Sequence, residues 1–203
     1  ENMSDWIKFE GLENYTKALK KKKGILFYTG HFGNWELLAA CFGLQGMRVN
    51  IIYRALDNPI LEDFVAWFRI HTGHKVIPKG GAARKIIKLL KKNEMIGILI
   101  DQNVTRREGI FVNFFNRPAS TTTGLAALAL QTGAPVVPAF IVRSEDGTYK
   151  IIIYEEVKIT KTDNYENDLL ENTQRFTSII EDIVRKYPDQ YFWLHQRWRT
   201  KLK

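Results

Sequence analysis

The stretch "ILFYTGHFGNWELLAA", Ile25 to Ala40, contains a change of hydrophobic period that decides the fold. Ile25-Leu26-Phe27-Tyr28 is a short aliphatic and aromatic run that reads as a buried strand, and the apolar run after Asn34 reads as a helix. Between them Gly30 and Gly33 permit a sharp turn, and Asn34 is a good N-cap. His31 then sits on the turn and Glu36 in the first helical turn. On one continuous helix, five steps of about 100° would leave the two residues about 140° apart. With the helix beginning after His31 they can meet. In that geometry the Glu36 carboxylate accepts from one imidazole nitrogen and stabilises the cation, while the other nitrogen takes a proton from a nucleophile. A structural histidine capped by a helix fits the same spacing, so the pair alone leaves both readings open.

The same alternation of strand-like and helix-like runs continues outward from this unit and points to an α/β fold in one domain. The expected order is helix (Asp5 to Leu19), strand (Ile25 to Thr29), helix (Asn34 to Phe42), strand (Val49 to Tyr53), helix (Pro59 to Ile70) and strand (Lys75 to Ile77). There follow helix (Ala82 to Lys92), strand (Met95 to Ile100), a loop containing "FVNFF", and helix (Thr122 to Gln131). Two strands (Val136 to Val142 and Tyr149 to Tyr154) and a long helix (Asn167 to Tyr187) complete it. The two prolines of "APVVPAF" predict an edge or irregular strand there. Arg54 closes one strand and Asp101 another, as His31 follows a third. In α/β sheets the carboxyl edge is where ligands bind, so three polar groups are expected on one edge.

At 203 residues and 45% apolar content the chain can bury a substantial core. A formal charge of +8 favours an anionic partner: nucleic acid, a phospholipid surface, an acidic carrier protein or a phosphorylated substrate. The single cysteine, Cys41, excludes an internal disulfide and a cysteine-rich zinc site, and reads as a core residue. No apolar run approaches the ~20 residues of a membrane span. The chain carries no G-x-S-x-G elbow, Walker A loop, H-E-x-x-H or G-x-G-x-x-G, so the common hydrolase, nucleotide and zinc-protease readings lack their signatures. "PKGGAARK" is a Gly-rich helix start that could hold an anion. His71, His74 and His195 lack metal-like spacing and read as structural or surface residues. Neither a metal nor another cofactor is expected.

Four stretches taken in order, "TGHFGNWE", "YRALDNPILEDFVAWFR", "ILIDQNVTRREGIFVNFFNRPASTTTGLAALALQTGAPVVPAF" and "PDQYFWLHQRWR", resemble the late acyltransferases of lipid A biosynthesis, within the lysophospholipid acyltransferase superfamily. The superfamily pattern, a histidine, four residues and an acidic residue, matches His31 and Glu36. The resemblance implies a mixed central β-sheet flanked by helices, as in glycerolipid acyltransferases. It also implies a catalytic domain lacking the family's N-terminal membrane anchor, working at the cytoplasmic face of the bacterial inner membrane. His31 would be the general base for a lipid hydroxyl attacking an acyl carrier protein or coenzyme A thioester, with Glu36 orienting it. Arg69 and Asp101 match family positions required for activity, and Arg54 is a further candidate for holding a phosphate. The implied acceptor is a phosphorylated glycolipid such as a lipid A precursor. Related enzymes acylate phosphatidylinositol mannosides, and a lysophospholipid is a further alternative. Interleaved aromatic and basic residues in "YFWLHQRWRTK" suit an anionic membrane surface. Two competing readings remain at this stage, a basic binding module without catalysis and a thioesterase. No nucleic-acid motif is present, and nucleic acid is not an expected partner.

Overall fold

The computed structural model describes residues 3–202. Seven strands form one mixed sheet in the order β1-β9-β8-β2-β5-β3-β4. They are β1 (Ile7–Glu10), β2 (Ile25–Thr29), β3 (Val49–Tyr53), β4 (Lys75–Pro78), β5 (Met95–Leu99), β8 (Val136–Arg143) and β9 (Tyr149–Ile153), and only the β8/β9 pair is antiparallel. The intervening β6 (Gly109–Phe114) and β7 (Arg117–Thr122) form a separate hairpin. The helices are α1 (Met3–Trp6), α2 (Leu12–Leu19), α3 (Trp35–Leu44), α4 (Pro59–His71), α5 (Ala82–Lys91), α6 (Gly124–Thr132) and α7 (Tyr165–Lys186). The mixed α/β sheet flanked by helices is the architecture the sequence led one to expect.

Strand periodicity divides the core. On β2, Leu26 and Tyr28 point to one face with Ile96, Phe140 and the inner sides of α5, α6 and α7. Ile25 and Phe27 point to the other, against Leu38, Cys41 and Phe42 of α3 and Ala18 of α2. All five residues of β2 are buried, as a central strand covered on both faces requires. Asn34 caps α3 by accepting from the Leu37 N–H at 3.0 Å, so the helix starts after His31 as read from the sequence.

Three expectations change. The region read as one helix from Asp5 contains β1, whose alternating burial pairs it with β9 at the sheet edge. The "FVNFF" loop is instead a hairpin. Its turn residues Phe115 and Asn116 both have positive φ, the I′ geometry, without the glycine that usually announces it. Phe115 is held there by its N–H, which donates to Glu181 at 2.7 Å. The proline-flanked β8 is central rather than an edge, lying between β9 and β2. Pro138 is tolerated because it falls where β9 ends; the Tyr154 N–H donates to its carbonyl at 2.9 Å, and no ladder bond asks Pro138 to donate. The helix expected from Pro59 is present as α4, which buries none of its residues completely and turns Ile60, Leu61, Phe64, Trp67 and Ile70 outward.

Candidate active site

β2, β3 and β5 are mutually parallel, so the residues just past their ends, His31, Arg54 and Asp101, share one edge of the sheet. β2 and β5 are neighbours, and that adjacency brings Asp101 onto the His31 turn. His31 Nδ1 lies 2.7 Å from Asp101 Oδ1, and the His31 backbone N–H donates to Oδ2 at 2.8 Å. The carboxylate thereby fixes both the ring and the turn that carries it. The turn has room for nothing larger: a Cβ on Gly30 would come 3.0 Å from Asp101 Oδ2. Gly33, at φ 58°, would drive one into the Ile141 carbonyl.

Asp101 is 2% exposed. Burial opposes its charge, but the bonds from His195 and His31 win and hold the carboxyl well below the usual carboxylate range. It is therefore an anion at neutral pH, which makes Nδ1 the protonated nitrogen of a neutral His31 and leaves Nε2 as an acceptor. Gln102 lies beside that free nitrogen, 3.5 Å away.

The sequence reading assigned the orienting carboxylate to Glu36; the structure places Asp101 in that position. Glu36 faces the other way and meets Arg69 in the last turn of α4. Arg69 donates from Nε to Oε2 at 2.9 Å and from Nη2 to Oε1 at 2.5 Å, a two-pronged ion pair between partly exposed side chains. The same guanidinium lies over the Tyr53 ring at 5.6 Å. Glu36 and Arg69 are the charged residues lining an apolar slot between α3 and the sheet, with Trp35, Leu38, Phe42, Val49 and Gly97 among its walls. Trp35 links the slot to His31, since its ring stands 5.0 Å from that of His31.

The C-terminal segment, read mainly as a membrane-facing tail, closes the site from above. It contains two short 3₁₀ turns, Pro188–Gln190 and Trp193–His195. The Gly33 N–H donates to the Gln190 carbonyl at 2.7 Å and the Phe192 N–H to the His31 carbonyl at 2.8 Å, so this segment staples the His31 turn. His195, read as structural or surface, is nearly buried. Its Nε2 lies 3.1 Å from the Asp101 carbonyl and from the Tyr191 hydroxyl, and 3.5 Å from Asp101 Oδ2. Its place in the stretch that carries the family resemblance was the only sequence signal. The donor atoms of His31, Asp101 and His195 gather within 4.8 Å, yet the 2.7 Å contact is a hydrogen bond, so the trio fits a proton network better than an ion. Arg197, 1% exposed, donates to the Ser120 carbonyl at 2.9 Å and anchors the segment on β7. Arg54 does not join the slot. It lines a separate polar cavity with Lys79, Gln102 and Arg199.

Comparison with known proteins identifies the family. The model of the family "Bacterial lipid A biosynthesis acyltransferase" matches residues 1–200. The chain is 30% identical over 97% of its length to the lipid A biosynthesis lauroyltransferase of Escherichia coli K12, covering 63% of that protein. It is 31% identical, again over 97%, to a lipid A biosynthesis acyltransferase of Haemophilus influenzae, covering 61% of it. More distantly, it is 24% identical over 95% of the chain to a phosphatidylinositol mannoside acyltransferase of Mycobacterium tuberculosis, covering 60% of that protein. The chain thus spans about three-fifths of the length of these relatives. With a family match across nearly every residue, the chain belongs to the bacterial lipid A biosynthesis acyltransferase family.

Proposed function

We propose that this chain is the catalytic domain of an O-acyltransferase that moves a fatty acyl group from an acyl carrier protein or coenzyme A thioester to a hydroxyl of a phosphorylated glycolipid. One observation carries the reading: the 2.7 Å contact of His31 Nδ1 with buried Asp101, beside an apolar slot of acyl-chain character. Asp101 holds Nδ1–H, so Nε2 takes the proton of the acceptor hydroxyl. The freed oxygen attacks the thioester carbonyl carbon. The tetrahedral intermediate then expels the thiolate as the carbon–sulfur bond breaks, and the imidazolium Nε2–H protonates the sulfur. No covalent enzyme intermediate is needed, and every proton returns. Arg69 spends two of its five N–H groups on Glu36 and offers the rest to the carbonyl oxygen as charge develops there. In this reading Glu36 acts as a positioning residue, through Arg69 rather than through His31.

The favoured acceptor is a lipid A precursor, as the relatives' names suggest. The phosphatidylinositol mannoside acyltransferase among them keeps another phosphorylated glycolipid as a second reading. Among the described residues no helix is long and apolar enough to cross a membrane. The outward apolar residues of α4, with Phe192, Trp193 and Leu194 and the +8 charge, support attachment to the anionic cytoplasmic face of the inner membrane. The test is a mass-spectrometric transfer assay with a carrier-protein thioester and a panel of glycolipid and lysophospholipid acceptors. The expected result is one added acyl group on a phosphorylated glycolipid, lost in His31→Ala. Transfer retained by a folded His31→Ala protein, or release of free fatty acid alone, would refute it.

A further inference from the structure

The C-terminal segment brings a second imidazole to Asp101, and the place of its hydrogen follows from its neighbours. His195 Nε2 faces the Asp101 backbone carbonyl at 3.1 Å and lies 3.5 Å from Oδ2 of the same residue. Both oxygens only accept, so Nε2 carries the hydrogen and donates it. The Tyr191 phenol oxygen, 3.1 Å from Nε2, then shares that hydrogen as an acceptor and cannot give its own to the ring. The Tyr191 O–H is left for the Asp101 carboxylate. Burial first, and the Asp101 charge second, push the phenol well above its ordinary pKa, so Tyr191 keeps its proton and remains a donor.

Both residues are held firmly over Asp101. Tyr191 is 4% exposed, pairs with Phe32 through an isolated β-bridge, and stands edge-on to the Trp193 ring at 4.9 Å. The His195 ring stands 5.3 Å from that of His31, which limits how far the His31 ring can swing off its carboxylate. The other nitrogen of His195, Nδ1, is buried and finds no protein partner among the described residues. An orphaned ring nitrogen destabilises the fold, and an apolar side chain would fill the same space without that cost. What offsets it is the single bond that Nε2 makes to Asp101.

We propose that His195 and Tyr191 are positioning residues of the base and act through Asp101. His195 fixes the Asp101 main chain and Tyr191 its carboxylate, so that Oδ1 stays on Nδ1–H of His31 and the opposite nitrogen is aimed at the acceptor hydroxyl. Neither residue gives up its hydrogen during the reaction. The side chain that lies beside His31 Nε2 is Gln102, so His195 and Tyr191 stay behind the carboxylate. The inference rests on the acyltransferase reading and adds two residues that hold its base in place.

The test compares His195→Leu, His195→Gln and Tyr191→Phe with wild type by steady-state transfer kinetics and by proton NMR of protein labelled with nitrogen-15 histidine. The low-field ring N–H resonance of His31, assigned by its loss in His31→Ala, reports the Nδ1 to Asp101 bond in the resting protein. His195→Leu is expected to lower kcat about tenfold or more with KM little changed, and to move that resonance upfield or broaden it. His195→Gln sets an amide N–H where Nε2 stands and should recover most of both. Tyr191→Phe removes one oxygen and keeps the ring packing, so it carries the test where the leucine variant unfolds; a fall in kcat of about fivefold and a smaller shift are expected. A lower melting temperature with kcat and the resonance unchanged would make His195 a packing residue and overturn the proposal. So would a rise in KM alone, or a glutamine variant as impaired as the leucine one. The resonance is read without substrate, so failure of the acyltransferase reading would appear separately, as a wild type that shows the signal and transfers nothing.

Discussion

Two carboxylates flank the His31 turn in different surroundings. Asp101 is buried, accepts from the ring and backbone of one histidine, is approached by a second, and is covered by a segment that is itself stapled to the turn. Glu36 lies at the surface end of α3 and meets a single arginine on α4, a helix with no fully buried residue. The first arrangement over-determines its geometry and suits a group that must hold a proton in one place. The second joins two helices at the lining of a slot through one partly exposed ion pair. The carboxylate nearest to His31 in sequence is not the one that meets its ring.

The strongest way to break this comparison is to remove each side in turn. His31→Ala is expected to lower kcat about a thousandfold, the usual scale of a general base, with circular dichroism checking that the fold is retained. Asp101→Asn should also cut kcat severely and destabilise the protein, since the amide keeps one acceptor oxygen where two are used and sets an N–H donor against either Nδ1–H or the backbone N–H of the turn. Thermal melts beside steady-state rates would separate the two effects. Glu36→Gln and Arg69→Gln are expected to cost less, about tenfold each, and to be non-additive, because the pair acts as one unit. A double-mutant cycle showing coupling of Glu36 to His31 but not to Arg69 would reverse the assignment made here.

The edge on which the site is built was legible in the sequence, because a strand end followed by a polar residue is a local pattern. It placed His31, Arg54 and Asp101 together before any coordinates were known. Which carboxylate meets His31 was not legible, for a definite reason: the His31 to Asp101 contact follows from β5 lying beside β2, and strand order is not written in any local window. His195 was hidden in the same way, since its role depends on a C-terminal segment returning across the sheet edge. The hairpin at Phe115 and Asn116 escaped because its turn lacks glycine and is held by α7, distant in sequence.

A gentler probe acts on the slot rather than on the charges. Gly97, midway along β5, lets the slot reach the sheet, and a Cβ there would come 2.9 Å from Val49 Cγ1. Gly97→Val is expected to shorten the preferred acyl chain while leaving the base intact. Each methylene excluded costs about 0.8 kcal/mol, about fourfold in the preference between adjacent chain lengths. Competition among thioesters of graded length would read the shift, and an unchanged ranking would remove this slot as the chain site.

The smallest effect is a difference in the order in which the two regions loosen with acid. His74 lies behind α3, accepting from the Val49 N–H at 3.1 Å and donating to the Ala39 carbonyl at 2.6 Å. Burial lowers its pKa, so below about 6.5 the unfolded chain takes a proton that the folded chain resists. The stability contributed by the neutral ring is present above that value and is lost as pH falls toward the folded pKa. Asp101 is also depressed, but from a carboxylate's range, so its contribution persists down to about pH 4 and is lost only below. Hydrogen exchange followed from pH 7 to 5 should therefore show protection falling first in α3, around Ala39, while the ends of β2 and β5 stay closed. His74→Gln, which retains an amide donor and acceptor but no titrating ring, should flatten that fall. Simultaneous loosening of both regions would mean that the Glu36 side is as firmly built as the Asp101 side, and the contrast drawn between them would fail.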